Sequence, residues 1–196
     1  MIDMFTNLWK EFTDFQKEQF ELYRFLEGLH SESFQYVANE DDDKEELRGY
    51  LESWEIDHGT LEKLVESLYY IGLATGDGSG YAFLKVNEGP IDENPVLFCS
   101  TDGYINLVAS NFKELLTLLT IDAGPMTGDE EKLATYYNDD WDDHSNARAD
   151  FVAWLENRHI LVIQSEEEAE VKSEEIIRTA NDKYGKNLQE FISHLY

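Results

Sequence analysis

With 196 residues, 42% of them hydrophobic and 13% aromatic, the chain is long enough for one domain with a sizeable core and too short for two comfortable ones; these fractions exclude a disordered polyelectrolyte although 29% of residues are charged. The 42 acidic against 15 basic side chains leave a formal net charge of -27, which argues against nucleic acid or an anionic membrane as partner, because phosphate contacts draw on clustered Lys and Arg. No apolar run approaches bilayer length, Met1 to Phe5 lacks the basic flank and apolar core of a signal peptide, and the lone Cys99 has no internal disulfide partner, so a cytoplasmic protein is expected.

From Phe5 to Leu29, apolar residues at Phe5, Leu8, Phe12, Phe15, Leu22, Leu26 and Leu29 recur at helical spacing, and Trp9, Phe20, Tyr23 and Phe25 widen that face. The run from Asn39 to Asp43 is an acidic connection. Leu47, Tyr50, Leu51 and Trp54 follow the i, i+3, i+4, i+7 rule, predicting a second helix that ends near Asp57-His58-Gly59. Thr60 is the expected cap of a third, with Leu61, Leu64, Val65, Leu68 and Tyr69 inward as far as Gly72.

A glycine-rich turn, Gly76 to Gly80, leads into an aromatic and aliphatic run, Tyr81 to Val86, and a second run spans Pro95 to Ser100. Asp102-Gly103 separates the second run from Tyr104 to Ala109, a strong hairpin signal because glycine accepts the positive φ of tight turns. Ser110 stands where an N-cap belongs, before a helix whose stripe is Phe112, Leu115, Leu116 and Leu119. Gly124-Pro125 then marks a break, and Asp129 is placed to cap a short helix bearing Leu133, Tyr136 and Tyr137.

Beyond the acidic stretch Asn138 to Asp143, Ser145 is the expected cap of a helix with Ala147, Phe151, Trp154 and Leu155 inward, and Ile160 to Ile163 reads as a short buried strand. Ser165 and Glu168 have capping-box spacing, which opens a helix running to about Tyr184. Gly185 suits its stop, with a last amphipathic turn at Leu188, Phe191, Ile192 and Leu195.

The glycine loop into Tyr81 to Val86, the strand Val96 to Cys99, the Asp102-Gly103 turn and the step from Ala109 to Leu116 together resemble the SUKH superfamily, which includes fungal cell-wall regulators and many bacterial immunity proteins. The resemblance covers the middle third of the chain, and Leu61 to Ile71 lacks the proline that commonly precedes the glycine loop in that family. The expected fold is a single α+β domain over 1–196: N-terminal helices (1–73), a small mostly antiparallel sheet and helix (74–120), and a mainly helical C-terminal part (121–196). The resemblance implies a non-catalytic module that binds a protein, as an immunity protein neutralising a cognate toxin such as a nuclease. A regulatory scaffold is the alternative, and an unrecognised hydrolase or metal-binding protein a third.

Several constellations invite more specific chemistry. Asp77-Gly78-Ser79-Gly80 lacks the Gly-Lys-Ser or Gly-Lys-Thr of a phosphate loop and opens a strand instead of a helix. Counted as a calcium loop it places Asp77, Ser79, Tyr81 and Glu88 at positions one, three, five and twelve, but Ala82 occupies the glycine position. The five histidines form no metal-spaced pair, Asp57-His58 and Asp143-His144 are merely adjacent, and no activating context surrounds Cys99. No catalytic residue, cofactor or metal ligand is therefore assigned.

The candidate partner-binding residues are Asp139, Asp140, Trp141, Asp142 and Asp143, in which a tryptophan anchors the contact and the aspartates steer a basic partner such as a toxin domain. The competing reading has Trp141 packed on its own domain and the aspartates solvated, for solubility alone.

Overall fold

The computed structural model describes residues 48–49, 51–52, 58–75, 78–126, 133–138 and 140–193. The expected helix from Phe5 to Leu29 lies outside them, as does the connection from Asn39 to Asp43. Where the second helix is expected, Arg48, Gly49, Leu51 and Glu52 are helical and Leu51 is fully buried. Helix α1, His58–Ser67, turns Leu61, Leu64 and Val65 inward. Thr60 therefore sits inside its first turn, not at its cap.

Helix α1 stops short of Gly72. Leu68–Leu73 is strand β1, against the expectation that Leu68 and Tyr69 extend the helical stripe. Leu-Tyr-Tyr-Ile is rich in residues that suit a half-buried pleated surface, and pairing with the next strand decides the matter. Strands β1, β2 (Gly80–Leu84), β3 (Val96–Cys99) and β4 (Ile105–Ala109) form an antiparallel meander in that order. The β1–β2 register shifts between Tyr70 and Gly72. Close by, a Cβ on Gly80 would stand 2.8 Å from Tyr70 Cε2 and 3.0 Å from Gly72 O, so the approach of β1 requires glycine.

The two turns of the meander lean on one another. Ala74 donates its N–H to Ser79 O at 2.6 Å across the glycine turn, and Thr101 donates to Ser79 Oγ at 3.1 Å. Gly103 has φ +87°, as the Asp-Gly signal predicts, and donates to Ser100 O at 2.9 Å. Helix α2, Phe112–Leu119, then buries Phe112, Leu115, Leu116 and Leu119. Its cap is Asn111, one residue beyond Ser110. Asn111 Oδ1 accepts from Glu114 N at 3.0 Å while Glu114 Oε2 accepts from Ser110 N at 2.7 Å, so Glu114, three residues after Asn111, sets the register of the box.

Alternation along the strands feeds two cores. Tyr81, Phe83, Val96, Phe98 and Val108 face α2 and helix α3, Arg148–Glu156. Ala82, Leu84, Leu97, Cys99 and Leu107 face α1 and the C-terminal half of helix α4, Glu166–Ile192. The strands are apolar on both faces for that reason. Ser165 caps α4 as expected, accepting from Glu168 N at 3.2 Å, but the helix runs through Gly185 without stopping. Its buried positions, Ala169, Ser173, Ile177, Ala180, Tyr184, Leu188 and Phe191, form one stripe that passes from the first core to the second along edge strand β4. There Asn181 Nδ2 donates to Leu107 O at 3.1 Å, occupying an acceptor of the edge.

Two further expectations are corrected. In place of a helix bearing Leu133, Tyr136 and Tyr137, Thr135–Tyr136 is strand β6, antiparallel to β5, Pro125–Met126; Asp129 lies outside the described residues. Tyr136 points inward, its hydroxyl 2.7 Å from that of Tyr81. Ile160 to Ile163 joins no sheet. Its polar groups are met by α2 instead: Thr117 Oγ1 donates to Leu161 O at 2.8 Å, and Ile163 N donates to Thr120 Oγ1 at 3.0 Å. The molecule is an α+β fold whose central sheet is covered by helices, and among the described residues no helix is long and apolar enough to cross a membrane.

Candidate functional site

Each end of α2 carries a polar constellation. At its C-terminal end the last carbonyls of the helix have no intrahelical partner. Arg148, at the start of α3, donates from Nε to Thr120 O at 2.7 Å and from Nη2 to Ile163 O at 2.8 Å, putting a cation where the helix dipole is negative. Asn138 Nδ2 donates to Ile121 O at 3.1 Å. Asp122, buried and left-handed at φ +60°, turns the chain, and its Oδ2 accepts from Ser145 N at 2.6 Å.

The acidic turn is mounted on this knot. Asn138 Oδ1 accepts from Asp140 N at 3.0 Å, and Asp140 O accepts from Asp143 N at 2.9 Å. Asp140, Asp142 and Asp143 are exposed, whereas Trp141 is half-buried against the first core; Asp139 lies outside the described residues. The Trp141 ring meets His144 edge-on at 4.9 Å and lies 5.4 Å from the Arg148 guanidinium. Trp141 thus packs on its own domain while the aspartates face water. Ser145, the expected cap of α3, is not one: the helix begins at Arg148 without a side-chain cap, and Ser145 Oγ is buried with no hydrogen-bond partner.

Asp143-His144 is adjacent in sequence, but among the described residues the carboxylate within 4 Å of His144 is Asp122, whose Oδ2 lies 3.8 Å from Nδ1, beyond hydrogen-bond reach. Burial, reinforced by Arg148, holds the His144 pKa below its ordinary value against the opposing pull of Asp122, Asp142 and Asp143. The imidazole is neutral at pH 7.

At the N-terminal end of α2, an open cleft of about 830 Å³ lies between the β2–β3 loop, the β4–α2 junction and the C-terminal half of α4. Lys113 and Lys183 line it, as do Asp92 and Glu93, so its charge is mixed. Asn94 shapes the loop, its Oδ1 accepting from Val86 N and Asn87 N, both at 2.9 Å. Tyr184 stands in the wall; burial raises its pKa, but hydrogen bonds with Lys183 and Asn87 outweigh this and draw it below the ordinary value.

The remaining sequence candidates do not converge. Asp77 lies outside the described residues, Tyr81 is buried with its hydroxyl on Tyr136, and Glu88 is exposed on the β2–β3 loop. An eight-residue helix, about 12 Å long, separates that loop from the acidic turn. Burial pushes the Cys99 thiol up to about 12, so it is protonated and behaves as a small hydrophobe in β3. Among the described residues no group of three or more His, Cys, Asp or Glu side chains has the arrangement of a metal site.

Sequence reasoning missed the exposed apolar side chains of β5 and of the residues flanking β6. Met126 in β5 is 51% exposed, and Leu133 and Tyr137, flanking β6, are 44% and 48% exposed. The alternation Leu133, Thr135, Tyr137 against Ala134, Tyr136 was a signal for them, overshadowed by a helical spacing. Comparison of the chain with protein-family models, curated proteins and solved structures finds no match.

Proposed function

We propose that the protein is a non-catalytic, cytoplasmic binding module of the SUKH type, an immunity protein that neutralises a cognate toxin by covering its surface. The observation that carries this reading is the acidic turn: Asp140, Asp142 and Asp143 stand in water while their backbone is tied to α2 through Asn138, Asp122 and Arg148. A rigidly mounted set of like charges loses little freedom when a partner binds, which favours affinity as well as steering. The -27 charge adds long-range attraction for a basic enzyme such as a nuclease. Further support comes from the residues that carry the SUKH resemblance, which occupy consecutive strands β2, β3 and β4 and helix α2.

Co-expression with the toxin-like product of a neighbouring gene tests the proposal. The expected outcome is a stable complex and restored growth of cells producing the toxin. Absence of both overturns it.

A further inference from the structure

Among the described residues, the β5–β6 pair meets the first core through one face. Pro125 opposes Tyr136 and both are buried, whereas Met126 opposes Thr135 and both are exposed. In an antiparallel pair, residues two before and two after the directly opposed one share its face, within about 7–8 Å on the diagonal. Leu133 and Tyr137 flank β6 two residues on either side of Thr135, and the alternation of exposure from 133 to 137 puts them on the side of Met126, all three about half exposed. Among the described residues the other large exposed apolar side chains are far apart in the chain: Tyr104 just before β4, Leu161 between α3 and α4, and Val171 on α4. Exposed apolar side chains gathered on one face are a better candidate for an interaction surface than scattered single ones.

The charge around the patch selects its occupant. Asp140 follows Tyr137 by three residues, a reach of about 10 Å, and the Asp143 N to Asp140 O bond folds Asp142 and Asp143 into the same turn. We propose that the outer face of the β5–β6 hairpin is the apolar centre of a docking surface, with Asp140, Asp142 and Asp143 as its rim, for a basic protein that presents an aromatic or aliphatic side chain among lysines and arginines. A desolvated apolar centre inside a charged rim is the usual division of labour at interfaces. A second copy of this chain is disfavoured as occupant, because -27 would meet -27. This assignment rests on the protein-binding reading above and moves its anchor from Trp141 to Tyr137 and Met126.

The test uses the full chain, isotopically labelled, with a synthetic peptide of one tryptophan flanked by lysines as probe. Saturable shifts of the Met126 methyl and Tyr137 ring signals are expected, with at least tenfold weaker binding after Met126→Ser with Tyr137→Ser. Neutralising Asp140→Asn, Asp142→Asn and Asp143→Asn should remove most of the salt dependence. The substituted side chains are exposed, and circular dichroism of each variant verifies the fold. Shifts confined to the exposed glutamates of α4, Glu166, Glu167, Glu170 and Glu174, or an affinity unchanged in the Met126→Ser, Tyr137→Ser protein, overturn the assignment. Running the same variants against the neighbouring toxin separates the two proposals. A toxin complex indifferent to the variants refutes this surface and leaves the immunity reading standing; peptide binding at the hairpin without any toxin complex does the reverse.

Discussion

Arg148 joins three segments that are far apart in sequence, and its removal should be felt as a lost pair of charge-assisted hydrogen bonds. Thr120 O and Ile163 O would be left in a region partly closed to water. Arg148→Met keeps the stem's packing and is expected to cost about 2–3 kcal/mol of unfolding free energy, read from urea denaturation. A loss below about 0.5 kcal/mol would mean that water replaces the guanidinium at no cost. His144 gives a second prediction, with its sign fixed by the direction of its shift. Its folded pKa lies below the ordinary 6.5, so between those two values the unfolded chain holds a proton that the folded chain lacks. The stability difference between wild type and His144→Gln should therefore be constant above pH 7.5, decline as pH falls through 6.5, and level off once the folded imidazole is also protonated. A difference that grows in favour of wild type on acidification would show instead that Asp122 captures the imidazolium.

Among the elements, β2, β3, β4 and α2 were legible in the sequence because their determinants are local: an Asp-Gly turn, short apolar runs and one helical stripe. The α2 cap shifted by one residue for a local reason, Glu114, but the errors at Leu68, at Ile160 to Ile163 and in α4 share a cause, which is that partners distant in sequence decided the outcome. Leu68 continues the periodicity of α1, and only pairing with β2 turns it into strand. Ile160 to Ile163 has a strand's composition, yet hydroxyls from Thr117 and Thr120 satisfy its backbone in place of a ladder. The exposure of the aspartates could be read from their own charge; the support beneath them, from Asp122, Asn138 and Arg148, could not, because it is built from three separate stretches. Helix α4 is the clearest case. Glycine inside a helix costs about 1 kcal/mol relative to alanine, and the burial of Tyr184, Leu188 and Phe191 on both sides of Gly185 outweighs that cost. A Cβ at Gly185 would meet nothing within 4 Å. Gly185→Ala is accordingly expected to stabilise the protein by about 0.5–1 kcal/mol, seen as a higher urea midpoint at unchanged slope. Destabilisation would show that the helix needs glycine there for a reason other than space.

At the scale of the whole molecule, one variable should drive folding and binding in opposite directions. A net charge of -27 on a 196-residue chain places like charges close together in the compact state, and unfolding relieves that repulsion by letting them separate. Added salt shortens the screening length from about 30 Å at 0.01 M to about 8 Å at 0.15 M, which weakens repulsion within the fold and attraction toward a basic partner alike. The urea midpoint should therefore rise with sodium chloride, most steeply below 0.15 M, while the association rate with a basic partner falls over the same range. Urea is the appropriate denaturant because guanidinium chloride would itself screen the charges. The neutralised variant Asp140→Asn, Asp142→Asn, Asp143→Asn separates the two effects. It removes only three charges from the total and should leave the salt dependence of stability nearly intact, yet it should flatten the salt dependence of association if those carboxylates steer the partner. Should both slopes fall together, the acidic turn would be a main source of repulsion within the fold; should neither change, steering would belong to the charge of the whole surface and not to this turn.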